Sequence, residues 1–290
     1  MFKRSPSERI MQLVIHFVLL AFALCCIYPF ILTFIVSLSS EKSILFHGYQ
    51  LIPEQFSTQA YRMVFKDQHI YTGYGVSILV TVVGTLLSLF ICGMAGYAMS
   101  VKRVRYRNAV AMFFYLPMIF NAGTLPWYLV CTQVLHLQNT VWALILPLLV
   151  SPFNVFLMRN YFATVPSSLI ESAEIDGCGV MRTFVQIIIP LSKPIIATVT
   201  LFIGLSYWND WASALWFIDN THLYPLQYML YRIKSIMDFI KQNGAMGATE
   251  MPAETFQVAT LFVTIGPIIL LYPFVQRYFV KGIMVGAVKG

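Results

Sequence analysis

The chain has 290 residues, 58% of them hydrophobic and only 11% charged, with a mean hydropathy of +0.72. Soluble domains carry about 25% charge, so this composition excludes an ordinary water-soluble globule and places most of the chain in lipid. The net charge of +7 would suit a nucleic-acid binder. The basic residues prove instead to be sorted by membrane side, and no nucleic-acid partner is expected.

A bilayer core of about 30 Å takes roughly 20 apolar residues as helix. Six stretches meet this in chain order: 11–38, 73–100, 108–131, 139–162, 194–218 and 256–280. The fold class expected is all-α, one polytopic membrane domain over residues 1–290. The first stretch is too long for a cleaved signal core, and no small-residue cleavage site follows it. It reads as a retained helix.

Lys and Arg set the orientation, because short cytoplasmic loops are enriched in them. With the N-terminus cytoplasmic, thirteen of the 19 basic residues fall inside, led by the short loop "VKRVRYR". Both termini are then cytoplasmic, and the loops 39–72 and 219–255 face outward.

In the second stretch, Gly84, Ser88, Gly93 and Gly96 predict close helix packing. In the third, "FNAGTLPWY" holds Asn121, Gly123 and Pro126. Such an interruption is either a broken helix lining a substrate cavity or a packing kink near the outer surface.

Between the fourth and fifth stretches lies a cytoplasmic loop, 163–193, with "ESAEIDGCG" at its centre. Three of the chain's twelve carboxylates sit in this short segment. Pro166 suits an early helical position, Ser168 and Glu171 have capping-box spacing, and Gly177 can end the helix in the left-handed conformation. A short helix over about 167–176 is predicted. Leu169, Ile170 and Ala173 would form its apolar side, with Glu171, Glu174 and Asp176 elsewhere. Interfacial helices carry Lys and Arg on their polar face, so this acidic one is poorly suited to lie on the membrane. The alternative is a plug into the basic cleft of a cytoplasmic protein.

The fifth stretch contains "SYWNDWASALW". Asp210 is the single acid placed within a span, towards its outer end. Intramembrane charge usually faces a bundle interior or a wet cavity. At helical spacing Tyr207, Asp210, Trp211 and Ala214 share a face, with Trp208 leaning to the neighbouring side and Asn209 beside them. Hydrogen-bonding groups and flat rings of this kind suit a sugar pathway. The competing readings are an interfacial aromatic belt and an Asp210 paired to a partner chain. On the pathway reading, Asp210→Asn impairs transport and spares assembly. The sixth stretch carries Pro267 and Pro273, which predict kinks. The five Cys and five His are scattered without metal spacing, and no phosphate-binding G-x-x-x-x-G-K-[ST] loop is present.

Glu171-Ser172-Ala173, three residues, Gly177, nine residues and Ile187-Ile188-Ile189-Pro190 resemble the Glu-Ala-Ala ("EAA") motif of ABC importer permeases, with Ser172 for the second Ala and Ile189 for Leu. "NAGTLPWYLV", "NTVWALILP", "FNVFLMRNYF" and "YPFVQRYFVKGIMVGAVKG" extend the resemblance over almost the whole chain. It is similar to the MalG side of the carbohydrate-uptake permeases, LplC/YtcP type. The resemblance implies a type I importer permease fold in a bacterial cytoplasmic membrane. It implies a non-catalytic subunit without cofactors, paired with a second homologous permease, two ATPase subunits that bind ATP and Mg, and an extracellular sugar-binding lipoprotein. An oligosaccharide, complex or plant-derived, is the implied substrate. The loop helix becomes the coupling helix, with Leu169, Ile170, Glu171, Ala173, Asp176, Gly177 and Pro190 as ATPase-coupling residues, and the C-terminal tail reaches toward the ATPase. Two other classes are weighed. A secondary transporter would use Asp210 as its ion site, but it predicts further intramembrane acids or a repeated half. An intramembrane enzyme predicts clustered catalytic groups, and none are seen.

Overall fold

The structure, a computed structural model, describes residues 6–242 and 254–269. In chain order the helices are α1 (Pro6–Ser37), α2 (Glu41–His47), α3 (Gln59–Lys66), α4 (Gln68–Ser100), α5 (Arg107–Ile119), α6 (Thr124–Leu129), α7 (Trp142–Ile145), α8 (Pro152–Phe162), α9 (Ser167–Ile175), α10 (Val180–Thr183), α11 (Ile189–Leu191), α12 (Lys193–Trp208), α13 (Ala212–Phe217), α14 (Leu226–Gln242) and α15 (Glu254–Ile269). Among the described residues the β structure is one isolated bridge, Ser39 with Phe56.

Among the described residues, two helices are long and apolar enough to cross a membrane unaided, Ile10–Ser37 within α1 and the whole of α4. At 1.5 Å per residue, 28 residues reach about 42 Å, more than a bilayer core requires. The third stretch is interrupted at Asn121–Gly123, where its sequence predicts a break, and the fourth and fifth are divided as well, against the continuous helices expected there; the cause is local chemistry.

The third breaks between α5 and α6 with a bend of 118°. Pro117 lies near the end of α5 and Phe120 is extended. The Asn121 side-chain oxygen accepts from Gly123 N–H at 2.9 Å, and Gly123 has φ +85, a conformation that costs Gly least. The fourth is divided by 52° between Trp142–Leu148 and α8. Ser151 is extended (ψ 116) ahead of Pro152, which opens α8, as the ring of a following proline demands. The fifth helix starts at Lys193, set at 90° to the preceding Val180–Leu191 segment. Before that corner the helix shifts register: Ile189 N–H donates to Phe184, five residues back. The next residue, Pro190, has no N–H to give. Of the sixth stretch, 256–269 lies within α15. The remainder, with Pro273 and the C-terminal tail, falls outside the described residues.

Contacts divide the chain into two units, 1–68 with 232–265, and 69–231 with 266–290. In the first, Ser37 hydroxyl meets Tyr61 hydroxyl at 2.9 Å and Phe34 packs edge-on against Phe262 at 5.3 Å. Glu41 carboxylate accepts from the backbone N–H groups of Glu254 and Thr255, both at 2.9 Å, and from Thr255 hydroxyl at 2.8 Å. These are the orphan donors at the start of α15. Tyr49 hydroxyl donates to Glu254. That bond, then burial and the neighbouring acids, push the Tyr49 phenol up to about 12. The bond belongs to the protonated phenol, so its contribution is complete below pH ~10 and is lost as pH rises through about 12.

In the second unit α4 is the central element. Its small residues allow close approach. A Cβ at Gly84 would lie 2.5 Å from the Tyr207 ring of α12, and one at Gly96 would lie 3.0 Å from the Arg159 backbone of α8. Around them Met158, Phe162, Phe184, Val199, Ile203 and Tyr97 form the buried core.

Candidate coupling loop and outer-end site

The loop 163–193 folds into the expected short helix, with different chemistry at its start. Pro166 is the N-cap of α9, and no side chain caps that end. The Ser168–Glu171 capping box does not form, because the helix begins at Ser167, two residues before the Leu169 start that a Ser168 cap would give. Both residues therefore lie inside it. The far end behaves as read. Gly177 has φ +77. Its N–H donates to Glu174 carbonyl at 3.0 Å, and Cys178 N–H donates to Ala173 carbonyl at 2.8 Å. These two bonds make a Schellman turn, with Gly in the left-handed position that favours it.

The apolar side is partly spent within the chain itself. Ala173 is 4% exposed and Ile170 packs against the core. Ala173 is thus not available to a partner, a correction to the apolar docking side read from spacing. Leu169 remains exposed, joined by Ile175 at 86%, Val180 at 73% and Met181. Glu171, Asp176 and Pro190 are exposed as well. Glu174 is held by Arg103, from the "VKRVRYR" loop, at 2.9 Å. The pair is well exposed, so it contributes about 0–1 kcal/mol and serves mainly to place the helix. A cavity of about 560 Å³ opens between the end of α4 and this loop, lined by Tyr97, Val101, Ile170, Glu174, Val180 and Phe184 among others.

At the other end of α12 the expected shared face is absent. The helix stops at Trp208. Asp210 carboxylate accepts from Ala212 N–H at 3.1 Å and Ser213 N–H at 3.2 Å, capping α13. A side chain that takes nearby backbone donors competes with helix continuation. Tyr207 is buried, and its hydroxyl donates to Ile145 carbonyl at 2.9 Å. Leu149, four residues beyond Ile145, donates to Leu146 instead, and the Tyr207 hydroxyl takes the place an α-helical donor would have at the Ile145 carbonyl. Trp208 is buried too. Asn209 is exposed and accepts from Gln227 amide at 3.1 Å. Trp211 stacks on Tyr231 at 4.2 Å and 12°. The five residues share a neighbourhood but not one surface: Tyr207 and Trp208 are buried, while Asn209 and Trp211 are exposed. Asp210→Asn, whose amide oxygen can accept the same two bonds, is expected to keep the thermal stability of the purified subunit. Asp210→Ala is expected to lose about 0.5–2 kcal/mol, the usual value of a cap.

Asn139 is a residue that spacing did not single out. It has φ 55, and Asn is among the few residues that tolerate this region. Its N–H donates to Phe217 carbonyl at 2.9 Å. Its side-chain oxygen accepts from Asp219 N–H at 2.7 Å and Asn220 N–H at 3.0 Å, and its amide donates to Asp219 carboxylate at 3.4 Å. Beside it Tyr128 stacks on Phe217 at 5.9 Å, and Trp127 meets Phe217 at 4.8 Å.

Helices broken at prolines and glycines, a short helix docked on the core between two spans, and lipid-length apolar helices define an all-helical membrane protein with the type I ABC importer permease fold. Residues 93–285 match the binding-protein-dependent transport system inner membrane component family, and the chain belongs to that family. It is 36% identical over 286 residues to the polygalacturonan/rhamnogalacturonan transport system permease protein YtcP of Bacillus subtilis (strain 168), covering 98% of this chain and 100% of that one. It is 37% identical over 265 residues to the protein LplC of the same organism, covering 91% of this chain and 90% of that one. Among solved structures, a bacterial ABC transporter involved in the import of the acidic polysaccharide alginate has a chain that superposes with a TM-score of 0.84 at 32% identity, covering 96% of this chain and 100% of that one.

Proposed function

We propose that this chain is the non-catalytic permease subunit of an ATP-driven importer for oligosaccharides cut from complex, uronic-acid-bearing polysaccharides. The observation that carries this reading is a pair of likenesses. A relative at 36% identity is named for polygalacturonan and rhamnogalacturonan, and the solved alginate importer is named for another acidic polysaccharide. The chain has six spans with both termini cytoplasmic. It pairs with a second homologous permease and two ATPase subunits, which bind ATP and Mg. A sugar-binding lipoprotein delivers substrate to the outer loops 39–72 and 219–255.

In this reading α9 is the coupling helix. Leu169 and Ile175 enter a cleft of the ATPase, each contributing through burial at about 25 cal/mol per Å² of apolar surface. Glu171 and Asp176 meet basic groups there and set register. Ile170 and Ala173 fasten the helix to the permease body, Gly177 makes its turn, and Pro190 helps form the corner that transmits movement to α12. Of the five outer-end residues, Asn209 and Trp211 face the sugar. Tyr207, Trp208 and Asp210 hold the structure that presents them.

The test is purification with native partners into proteoliposomes, followed by ATPase assays across an oligosaccharide panel with the loaded binding protein. Oligogalacturonides or rhamnogalacturonan fragments are expected to stimulate hydrolysis. Stimulation by neutral maltooligosaccharides alone would overturn the substrate class. Glu171→Lys is expected to leave the subunit inserted and to abolish that stimulation, measured in the same assay. Unchanged stimulation would remove Glu171 from the interface.

A further inference from the structure

The first extramembrane loop, 39–56, is built around its own small core and leaves large apolar side chains outside it. Ser40 hydroxyl accepts from Ser43 N–H at 3.3 Å and caps α2. Ile44 is buried beneath that helix. Gly48 (φ +74) turns the chain, and His47 pairs with Glu54 at 3.0 Å across the turn. Glu41 and Tyr49 are engaged with the start of α15. With these groups satisfied, Phe46 and Ile52 are each 81% exposed and Phe56 is 68% exposed, with Leu45 and Leu51 beside them in sequence and also exposed. A soluble surface rarely gathers so much apolar area without a use for it.

The loop's closure says what it lies against. Ser40 N–H donates to Gln55 carbonyl at 3.0 Å, and Ser57 N–H donates to Leu38 carbonyl at 2.8 Å. Ser39 and Phe56 form the bridge between them. The chain therefore returns to the last residues of α1 after sixteen residues. The apolar stretch Ile10–Ser37, which ends where the loop begins, has none of its most apolar window buried. Its exposed side chains, Phe30 and Ile31 near that end included, are those of a lipid-facing span. Headgroup regions add only about 5–8 Å on each side of the hydrocarbon, and α2 is only about 10 Å long. A loop stitched to the end of a span at Phe56 thus stays within reach of the water–lipid boundary. Lys42 on α2 and Lys66 at the end of α3 are both exposed, cations of the kind that suit anionic headgroups.

We propose that this loop is a monotopic membrane anchor, seating Phe46, Ile52 and Phe56 in the headgroup–acyl boundary beside the end of α1. It extends the lipid contact of that span sideways, as interfacial segments do. The anchor is independent of the sugar, and the assigned orientation decides only which leaflet it enters. By fixing the loop's height at the membrane surface, it would also hold the N-terminal end of α15 through Glu41.

The experiment uses the assembled importer in phosphatidylcholine–phosphatidylglycerol nanodiscs. Cys25, Cys26, Cys92, Cys131 and Cys178 are first replaced, in a background shown to transport. Nitroxide labels are placed singly at Phe46→Cys and Ile52→Cys, and at Phe30→Cys as the lipid reference. Power-saturation EPR then compares oxygen, which partitions into lipid, with a nickel chelate, which stays in water. Spin-labelled lipids calibrate depth. The expected result is an oxygen-favoured ratio at both loop sites, shifted from the aqueous value toward that at Phe30. Two results overturn the proposal. A chelate-favoured ratio would place the loop in water, and shielding from both reagents, with or without the binding protein, would place it under another protein chain.

Discussion

Gly177→Pro is expected to reduce transport by more than tenfold while leaving the chain inserted and paired with its partner permease. Proline fixes φ near −65°, whereas Gly177 sits at +77. It also removes the N–H that donates to Glu174 carbonyl. The turn that ends α9 then cannot form, and the bond from Cys178 to Ala173 is lost with it. A cost of more than about 1 kcal/mol, as for proline where φ is incompatible and the N–H is bonded, falls on an element held to the body through Ile170, Ala173 and an exposed ion pair. Gly177→Asn is the control. Asn accepts the left-handed conformation at modest cost, and it keeps the N–H, so most transport should survive. The measurement is substrate uptake and binding-protein-stimulated ATP hydrolysis per assembled complex. If the proline variant transported normally, α9 would not be the coupling element.

The second large effect lies in the membrane core. Gly84→Ala is expected to destabilise the purified subunit by about 1–3 kcal/mol, the usual cost of overpacking. The new Cβ would sit 2.5 Å from one Tyr207 ring atom and 2.7 Å from two more. The ring cannot retreat easily, because Tyr207 is 3% exposed and its hydroxyl is tethered to Ile145 carbonyl. The helices α4 and α12 must therefore separate. The loss should read as a lower melting temperature in detergent. Combining Gly84→Ala with Tyr207→Leu is expected to cost less than the sum of the two single changes, because residues in contact do not act additively. Strict additivity would show that the ring and the glycine do not share the strain.

The sequence was most legible where chain chemistry acts over a few residues. The span-length runs of α1 and α4, the small residues of α4, the interruption at Asn121–Gly123 and the glycine at the end of α9 were all readable from composition and local spacing. What spacing missed depends on where distant segments meet. Helical periodicity runs on through Asn209–Trp211 because the apolar run continues there. The Asp210 carboxylate stops the helix by taking two backbone donors, and that competition leaves no mark in a hydropathy pattern. Ala173 looked available to a partner because a helical face does not show which part of it the chain's own core covers. The partnership of Arg103 with Glu174 spans 71 positions. Its one sequence-level hint was opposite charge on two loops assigned to the same side.

Asn139 has a mechanical implication. One residue, through four hydrogen bonds, latches the segment entering the fourth stretch to the turn that follows α13. Separating those strands of chain would require all four to open together. During any alternation between inward- and outward-open states the two should travel as one block, leaving flexure to the corner at Ser192, where the helix axis already turns through 90°.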